Sequence, residues 1–225
     1  MRHVIACGRP WCDQLAKKLS RVTDEDFVII DSKDDLRLER LDALAPRYIF
    51  FPHWSSIIPE EIFSRYECVI FHMTDVPYGR GGSPLQNLIV RGHTETKLTA
   101  LRCVKELDAG PVYLKEPLCL LGSAEEIYMR ASALIEKMVV RIITEKTIPT
   151  VQSGKVVEFK RRKPADSDLV GAKDLDEIFD MIRMLDAENY PHAFFRIGKY
   201  RLEFTRASRK TESVLADVKI TLEQQ

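Results

Sequence analysis

The stretch that decides the fold is CVIFHMTDVPYGRGGSPLQNLIVRGHTETKLTALRCVKELDAGPVY, which runs from Cys68 to Tyr113. Its first four residues are apolar in character, which predicts a buried strand with His72 at its end. Five glycine and proline residues between 77 and 84 predict a loop without regular structure. Apolar residues at helical spacing follow at 85–89. A further tight turn carries Asp108 and leads into a strand predicted at 111–114.

The residues before this stretch alternate between two kinds of pattern. Short apolar runs predict strands and amphipathic runs predict helices, in the order 3–7, 11–19, 27–30, 36–44, 48–51 and from residue 59. This β-α-β alternation predicts an α/β fold with a mainly parallel, Rossmann-like sheet and helices on both faces. The first turn lacks the pattern G-x-G-x-x-G, so dinucleotide binding is disfavoured.

The pattern changes after Pro149. A capping box that begins at Ser123 precedes a long predicted helix that ends near residue 144. Beyond it lie a predicted strand at 156–159, a basic run at 160–163, a helix at 174–185 and alternating strands from 194. We expect a catalytic domain over residues 1–150 and a small, β-rich α+β subdomain over residues 151–225.

Composition narrows the classes of partner. Lys and Arg number 34 and Asp and Glu also number 34, so no overall basic field attracts nucleic acid or an anionic membrane. No apolar run approaches the ~20 residues of a membrane span. The N-terminus shows no secretory signal pattern. A small-molecule substrate, without nucleic acid or membrane, is therefore the expected partner.

The five cysteines do not form the pattern of a disulfide framework. Cys7 and Cys12 are too far apart for a C-x-x-C motif, and the others lie in apolar runs. We predict buried, reduced thiols and a cytoplasmic location. No cysteine has metal-ligand spacing with the histidines, so no metal site is expected.

A motif spread over 72–110 carries a resemblance. It consists of His72-x-Thr74-x-x-Pro77-x-x-Arg80-Gly81-x-x-Pro84, then Gly92-x-Thr94-x-Thr96-x-x-Thr99, then Asp108-Ala109-Gly110. This pattern resembles the signature of formyltransferases that use 10-formyltetrahydrofolate as formyl donor. The segment Phe159-x-Arg161-Arg162-x-Pro164, with the residues around Tyr190, is similar to the region after the catalytic domain in methionyl-tRNA and aminosugar formyltransferases. The resemblance covers most of residues 45–200.

The resemblance implies roles for two side chains at strand ends. In formyl transfer an amine attacks the formyl carbon, so the site needs a donor for the oxyanion and a proton acceptor. His72 would donate to the oxyanion, and Asp108 would hold the imidazole and help to move the proton. Taken singly, each residue favours a structural interpretation, His72 as a polar cap at the end of a strand and Asp108 as an ordinary turn residue. Their joint occurrence with the loop between them favours the catalytic interpretation.

The resemblance also implies two sets of binding residues. Folate contacts are expected at Phe51, Pro52, His53, Trp54, Ile57, Lys105, Leu107 and Asp108. Acceptor contacts are expected at Met73, Thr74, Tyr78, Gly79, Arg80, Gly81, Gly82, Ser83 and Tyr190. For Arg80, loop ordering or a phosphate contact is favoured over a solvated turn arginine.

One position departs from the family pattern. Members usually have asparagine two residues before the histidine, where this chain has Ile70. Loss of one oxyanion donor costs roughly 2.7–4 kcal/mol, so another group must replace it or the activity is lost. His53, at the end of the neighbouring predicted strand, is the candidate third catalytic residue. The alternative interpretation of His53 is a ring that forms a wall of the folate site.

The formyl acceptor is predicted from the tail and the charge. The short, neutral chain favours a nucleotide-linked 4-amino-4,6-dideoxysugar, such as a UDP-linked precursor of the pseudaminic acid type. The alternatives are methionyl-tRNA, glycinamide ribonucleotide, or a degenerate folate-binding module without activity. The basic run at 160–163 would meet a nucleotide diphosphate or tRNA, or is only solvated. The resemblance is also compatible with a homodimer.

Overall fold

The computed structural model of the chain describes residues 1–8, 12–188 and 190–223. Its strands are β1 (Arg2–Ala6), β2 (Asp26–Ile30), β3 (Tyr48–Phe51), β4 (Cys68–His72), β5 (Tyr78–Gly81), β6 (Glu95–Arg102), β7 (Val112–Cys119), β8 (Val157–Phe159), β9 (Ala193–Ile197), β10 (Tyr200–Arg209) and β11 (Val214–Leu222). Its helices are α1 (Cys12–Thr23), α2 (Leu38–Leu44), α3 (Glu60–Phe63), α4 (Pro84–Ile89), α5 (Ala124–Thr144) and α6 (Leu175–Arg183). The predicted start of the first helix at Trp11 lies outside the described residues, as does most of the turn predicted at 8–10.

The central sheet has six strands in the order β2-β1-β3-β4-β6-β7. Strands β1 to β4 are mutually parallel, and β6 is antiparallel to β4, with His72 opposite Thr99. The chain moves from β1 outward to β2 and then returns to the other side of β1 for β3. This reversal opens a crevice beyond the carboxyl ends of these strands, where α/β sheets bind ligands. The predicted mainly parallel α/β fold is confirmed.

Both faces of β1 and β3 are buried, as a parallel sheet requires, whereas β2 at the edge of the sheet is only partly buried. On one face Val4, Ile49 and Phe51 belong to a core cluster that also contains Leu41 of α2 and Ile62 of α3. Helices α2 and α3, of seven and four residues, have little stability of their own. They are therefore held on the sheet by burial of Leu41 and Ile62.

His3 occupies the other face of the sheet among aromatic rings. Its ring centroid lies 5.0 Å from that of Phe27, 5.7 Å from Tyr48 and 6.0 Å from Phe50. The side chain is only 1% exposed. Burial lowers the pKa of His3 from 6.5 to about 4, although the Glu25 carboxylate opposes the shift. His3 is thus a neutral core residue above that pH.

The glycine- and proline-rich loop is more regular than predicted. The expectation of no regular structure at 77–84 is wrong, because β5 pairs with β8 in a two-stranded sheet. The partner comes from more than seventy residues further along the chain, which local composition cannot reveal. Gly81 has a φ of +105°, and a Cβ there would lie 2.5 Å from the Phe159 carbonyl oxygen. Only glycine permits this approach.

The chain divides into two compact units that are discontinuous in sequence. The first contains Met1–Arg80, Lys97–Pro117 and Ala131–Glu158, and the second contains Gly81–Thr96, Leu118–Arg130 and Phe159–Gln225. The second unit holds the antiparallel sheet β11-β10-β9 and α6, which begins at the N-cap Asp174. The expected C-terminal β-rich structure is confirmed. The boundary at residue 150 stays a prediction.

The cysteine prediction is wrong for one pair. Cys7, directly after β1, and Cys12, the first residue of α1, form a disulfide with a Cα–Cα distance of 6.3 Å. Cys68, Cys103 and Cys119 are free, and the first two are buried. Burial raises the pKa of Cys103 to about 11 and that of Cys68 still further, so both are inert thiols.

The described part of the chain holds neither a membrane span nor a metal cluster. None of its helices combines the length and the apolar character that crossing a bilayer requires. The same residues contain no group of three or more histidine, cysteine or acidic side chains arranged to hold a metal ion.

We predict that His3 makes folding stability depend on pH. The unfolded chain takes up a proton on this histidine near pH 6.5, whereas the folded chain does so only near pH 4. Stability from this group is therefore complete above pH 6.5 and falls progressively toward pH 4, by up to about 3 kcal/mol. Urea unfolding of the wild type and of His3→Phe at pH 7.5 and 5.0 measures the effect.

Between pH 7.5 and pH 5.0, the His3→Phe variant should lose less free energy of unfolding than the wild type loses. His192→Gln, which alters a partly exposed histidine, is the matched control and should keep the wild-type slope. Equal slopes for the wild type and His3→Phe would show that His3 is not the buried titrating group.

Candidate active site

His72, the last residue of β4, has contacts at both ring nitrogens. Nε2 lies 2.8 Å from the Gly79 carbonyl oxygen, and Nδ1 lies 3.5 Å from Oδ2 of Asp108. A carbonyl oxygen can only accept, so this contact places a proton on Nε2. His72 and Asp108 are each 7% exposed. The structure therefore brings the two predicted catalytic side chains together in a buried pair.

The turn that carries Asp108 is held tightly against the end of β6. Asp108 has a φ of +52°, a left-handed conformation that aspartate adopts more readily than most residues. A Cβ at Gly110 would lie 1.8 Å from the Arg102 carbonyl oxygen, so the backbone approaches too closely for any side chain. The close approach at Gly110 thus requires glycine, and the turn that it allows carries the Asp108 carboxylate beside His72.

The loop after His72 is fixed from within the first unit. Thr74 donates to the Gly79 carbonyl at 3.2 Å, and Thr99 donates to the Thr74 carbonyl at 2.7 Å. Met73 and Thr74 are buried. Because the Gly79 carbonyl accepts from both His72 and Thr74, this loop fixes the orientation of the His72 imidazole.

A cleft of about 240 Å³ lies beyond the ends of β1, β2 and β3. Its lining residues come from the segments that follow those three strands: Gly8, Asp31, Lys33, His53, Trp54, Ser55 and Ser56. The Trp54 indole N–H is buried and has no hydrogen-bond partner among the described residues. Such a donor is a group that a bound ligand satisfies.

His53 lies in this cleft with a φ of +53°. Its Nε2 is 2.8 Å from Oγ of Ser132 on α5. Ile70 packs as a partly buried residue against the core cluster that includes Phe51. An asparagine at 70 would therefore place an amide beside apolar side chains, which explains why the position tolerates isoleucine here.

The other predicted folate residues differ in exposure. Phe51 and Pro52 are buried, and the Phe51 ring contacts Trp54 edge-on at 5.7 Å. Ile57 is 92% exposed and Leu107 is 65% exposed, and Lys105 is exposed as well. Apolar side chains so open to solvent are available to cover a ligand, but they form no preformed wall.

Several predicted acceptor residues lie in the second unit. Ser83 has a φ of +49°, and its Oγ accepts from the Arg162 N–H at 3.1 Å. A Cβ at Gly82 would lie 2.5 Å from the Cβ of Arg161. The Tyr190 hydroxyl is 2.7 Å from that of Tyr128. Gly82 and Ser83 thus pack against the basic run at 160–163, whereas Tyr190 contacts α5.

Sequence reasoning missed several residues of the first unit. Asp31 and Lys33 follow a predicted strand end, so the rule for α/β crevices could have found them. Gln152 lies in an irregular segment without any motif, and no sequence signal pointed to it. Its side chain nevertheless contacts both Arg80 and the turn of Asp108.

Comparisons with known proteins bear on the family of the chain. Residues 164–221 match a family model described as the C-terminal domain of methionyl-tRNA formyltransferase. The structure is similar to that of the methionyl-tRNA formyltransferase from Clostridium thermocellum, with 47% sequence identity, 99% of both chains covered and a TM-score of 0.95.

Two more distant structures share the fold alone. HypX from Aquifex aeolicus in complex with tetrahydrofolic acid has 18% identity and a TM-score of 0.74, covering 92% of this chain and 38% of that one. A sugar N-formyltransferase from Shewanella sp FDAARGOS_354 has 14% identity and a TM-score of 0.73, covering 94% of this chain and 99% of that one.

We predict that His53 acts as a wall of the donor site. Because Ser132 contacts its Nε2 and the ring lines the cleft, His53→Ala should remove ligand contacts in the ground state. We expect KM for the formyl donor to rise about tenfold, the equivalent of roughly 1.4 kcal/mol, with kcat changed less than about threefold. Steady-state kinetics with varied donor concentration measures both constants.

Ser132→Ala, which frees the ring without removing it, should shift KM in the same direction by a smaller factor. A fall of about 10²–10³-fold in kcat with an unchanged KM for the donor would instead identify His53 as the oxyanion donor that replaces the missing asparagine.

Proposed function

Because the chain belongs to the formyltransferase family that includes the methionyl-tRNA formyltransferase from Clostridium thermocellum, we propose that its acceptor is the amino group of methionyl-tRNA. The observation that carries this proposal is 47% identity over 99% of both chains. The chain is an enzyme that transfers a formyl group, and 10-formyltetrahydrofolate is its formyl donor.

The prediction of an aminosugar acceptor is wrong. The family model at 164–221 and the Clostridium thermocellum protein both carry the name of the tRNA enzyme, whereas the similarity to a sugar N-formyltransferase is 14%. The short tail misled the prediction, because the Clostridium protein matches over its whole length. The segment from Phe159 to Pro164 is common to both groups and so could not discriminate between them.

Local charge supports a tRNA acceptor despite the neutral total. Lys160, Arg161 and Lys163 are exposed side chains in one short segment of the second unit. Cations contact nucleic-acid phosphates locally, and a net charge of zero only means that acidic residues elsewhere balance them. The expected absence of a nucleic-acid partner is therefore replaced by a proposed contact between this segment and tRNA phosphates.

The residues of the cleft fit the formyl donor. The buried Trp54 N–H, which has no hydrogen-bond partner within the described part of the chain, offers a donor, and Ser55, Ser56 and Lys33 add polar groups to the same cleft. We assign Trp54 and His53 to the donor site on this chemistry. The bound donor supplies an activated formyl carbon that an amine can attack.

The buried pair supplies the remaining chemistry. His72 carries its proton on Nε2, which donates to the Gly79 carbonyl in the free protein. We assign this N–H to the oxyanion formed at the formyl carbon, which takes the place of the Gly79 carbonyl as acceptor during the reaction. The Asp108 carboxylate faces Nδ1, so it stabilises positive charge on the ring and keeps its orientation. Asp108 is also the acceptor for the proton that the attacking amine must lose, directly or through one water. The bond between the formyl carbon and the donor nitrogen then breaks, and that nitrogen leaves with the proton that the amine gave up.

The proposal predicts formyl transfer to methionyl-tRNA that depends on this pair. His72→Ala and Asp108→Asn should each lower kcat by about 10²–10⁴-fold, since each removes a general acid–base or oxyanion group. Mass spectrometry of formylmethionine released from the tRNA measures the product. Free methionine is the control acceptor, and circular dichroism checks that each variant is folded.

The same assay also tests the proposed contact between the basic run at 160–163 and the tRNA. Replacing Lys160, Arg161 and Lys163 by Gln should raise KM for the tRNA and lower its salt dependence by about two units of the log–log slope. A triple Gln variant at Lys17, Lys137 and Lys146 removes as many exposed charges elsewhere. A wild type that formylates other amines but not methionyl-tRNA would overturn the proposed acceptor.

We also propose that the chain forms homodimers through the sheet β11-β10-β9. One face carries three cross-strand rows of uncharged side chains, namely Ile197, Tyr200 and Leu222; Phe195, Leu202 and Ile220; and Ala193, Phe204 and Val218. Ile220 and Leu222 are 60% and 63% exposed. An apolar face without charges is self-complementary across a two-fold axis.

Light scattering should therefore give twice the 25.9 kDa chain mass for the wild type. Ile220→Lys should shift the protein to the monomer, because it buries an unpaired charge in the interface. Thr221→Lys, on the opposite face of β11, is the matched control. A wild-type monomer at tens of micromolar concentration would contradict the dimer.

A further inference from the structure

We propose that Gln152 is a positioning residue for formyl transfer, a role that rests on the proposed function of His72 and Asp108. Its side-chain amide joins the two segments that contact the imidazole of His72. One is the loop at Gly79 and Arg80, and the other is the turn at Asp108.

The amide of Gln152 is fully used. Its Oε1 accepts from Nε and Nη2 of Arg80 at 3.1 and 2.8 Å. Its Nε2 donates to the carbonyl oxygens of Asp108 and Gly110, both at 2.8 Å. The partners fix the amide orientation, because the flipped amide would oppose donor to donor and acceptor to acceptor.

Together with the contacts of His72, these hydrogen bonds form a closed network around His72 and Asp108. His72 Nε2 contacts the Gly79 carbonyl, and the next residue, Arg80, donates to Gln152. Gln152 in turn holds the backbone of Asp108, whose carboxylate faces His72 Nδ1. Gln152 thus links two segments that are distant in sequence, at Arg80 and at Asp108–Gly110, and it acts on the His72 ring only through them.

The turn at Asp108 needs such a restraint. Asp108 has a left-handed backbone, and Gly110 presses against the Arg102 carbonyl. A residue with positive φ keeps that conformation only where its surroundings hold it. The two Gln152 donations fix the carbonyls on either side of Ala109. Without them the turn can relax and carry the Asp108 carboxylate away from the imidazole.

The rate of formyl transfer depends on the distance between the Asp108 carboxylate and the His72 imidazole, whereas substrate binding depends on it much less. A misplacement of about 1 Å in a catalytic group can lower turnover by about a hundredfold. Removing Gln152 should therefore lower kcat by about 10–100-fold and change KM for either substrate by less than about threefold. A residue that bound substrate would instead raise KM.

The test compares Gln152→Ala with Gln152→Glu. The glutamate keeps an acceptor for Arg80 but loses the N–H groups that donate to the two carbonyls, so it should lose as much kcat as the alanine variant. Ser153→Ala, at the exposed neighbouring position, is the matched control and should keep the wild-type kcat. Thermal unfolding of each variant shows whether the fold is retained.

A second measurement does not depend on the acceptor. The ¹⁵N resonances of the His72 imidazole report the tautomer and the hydrogen bonds of the ring in the free protein. Both Gln152 variants should shift the His72 signals at pH 7, and Ser153→Ala should not. The assignment comes from the loss of these signals in His72→Ala.

The outcomes separate this proposal from the proposed function. If the wild type does not formylate methionyl-tRNA but the Gln152 variants shift the His72 signals, the proposed acceptor fails and the positioning role stands. Wild-type kcat and unshifted His72 signals in both variants would overturn the positioning role. A raised KM for one substrate at unchanged kcat would also overturn it, in favour of direct binding.

Discussion

The buried contact between the His72 imidazole and the Asp108 carboxylate is the constraint on which the first unit depends. These two side chains are buried and polar, so each needs a hydrogen-bond or charge partner. The partners of the His72 ring come from two segments with unusual backbone geometry. The Gly79 carbonyl holds one side of the ring, and the left-handed turn at Asp108 holds the other. Strand β4 delivers the histidine, and antiparallel β6 returns the chain so that the aspartate arrives beside it.

The strands and helices that depend only on neighbouring residues could be predicted from the sequence. The apolar runs of β1 to β4 and the capping box of α5 depend on neighbouring residues, so period and composition were sufficient. The pairing of His72 with Asp108 came from the family resemblance rather than from spacing. Gln152, the β5–β8 pair and the Cys7–Cys12 disulfide depend on partners that only the folded chain brings together. No local pattern encodes these contacts.

The choice of acceptor shows where composition misleads. Equal numbers of acidic and basic residues describe the whole chain, whereas a tRNA phosphate meets only the side chains near it. The exposed cations at Lys160, Arg161 and Lys163 are invisible in the net charge. Ile70 is a similar case. It removes a family amide from β4 yet fits the apolar core beside it, so its effect depends on what the neighbouring strand ends contribute.

The most direct test of the account is a crystal structure of the protein with a non-transferable analogue of the formyl donor. If His72 donates to the oxyanion, the formyl oxygen should lie within about 3.2 Å of His72 Nε2, with Asp108 still facing Nδ1 and the analogue in contact with Trp54. An analogue bound with its formyl group beyond the reach of both His72 and Asp108 would contradict the assignment of this pair as the centre of the reaction.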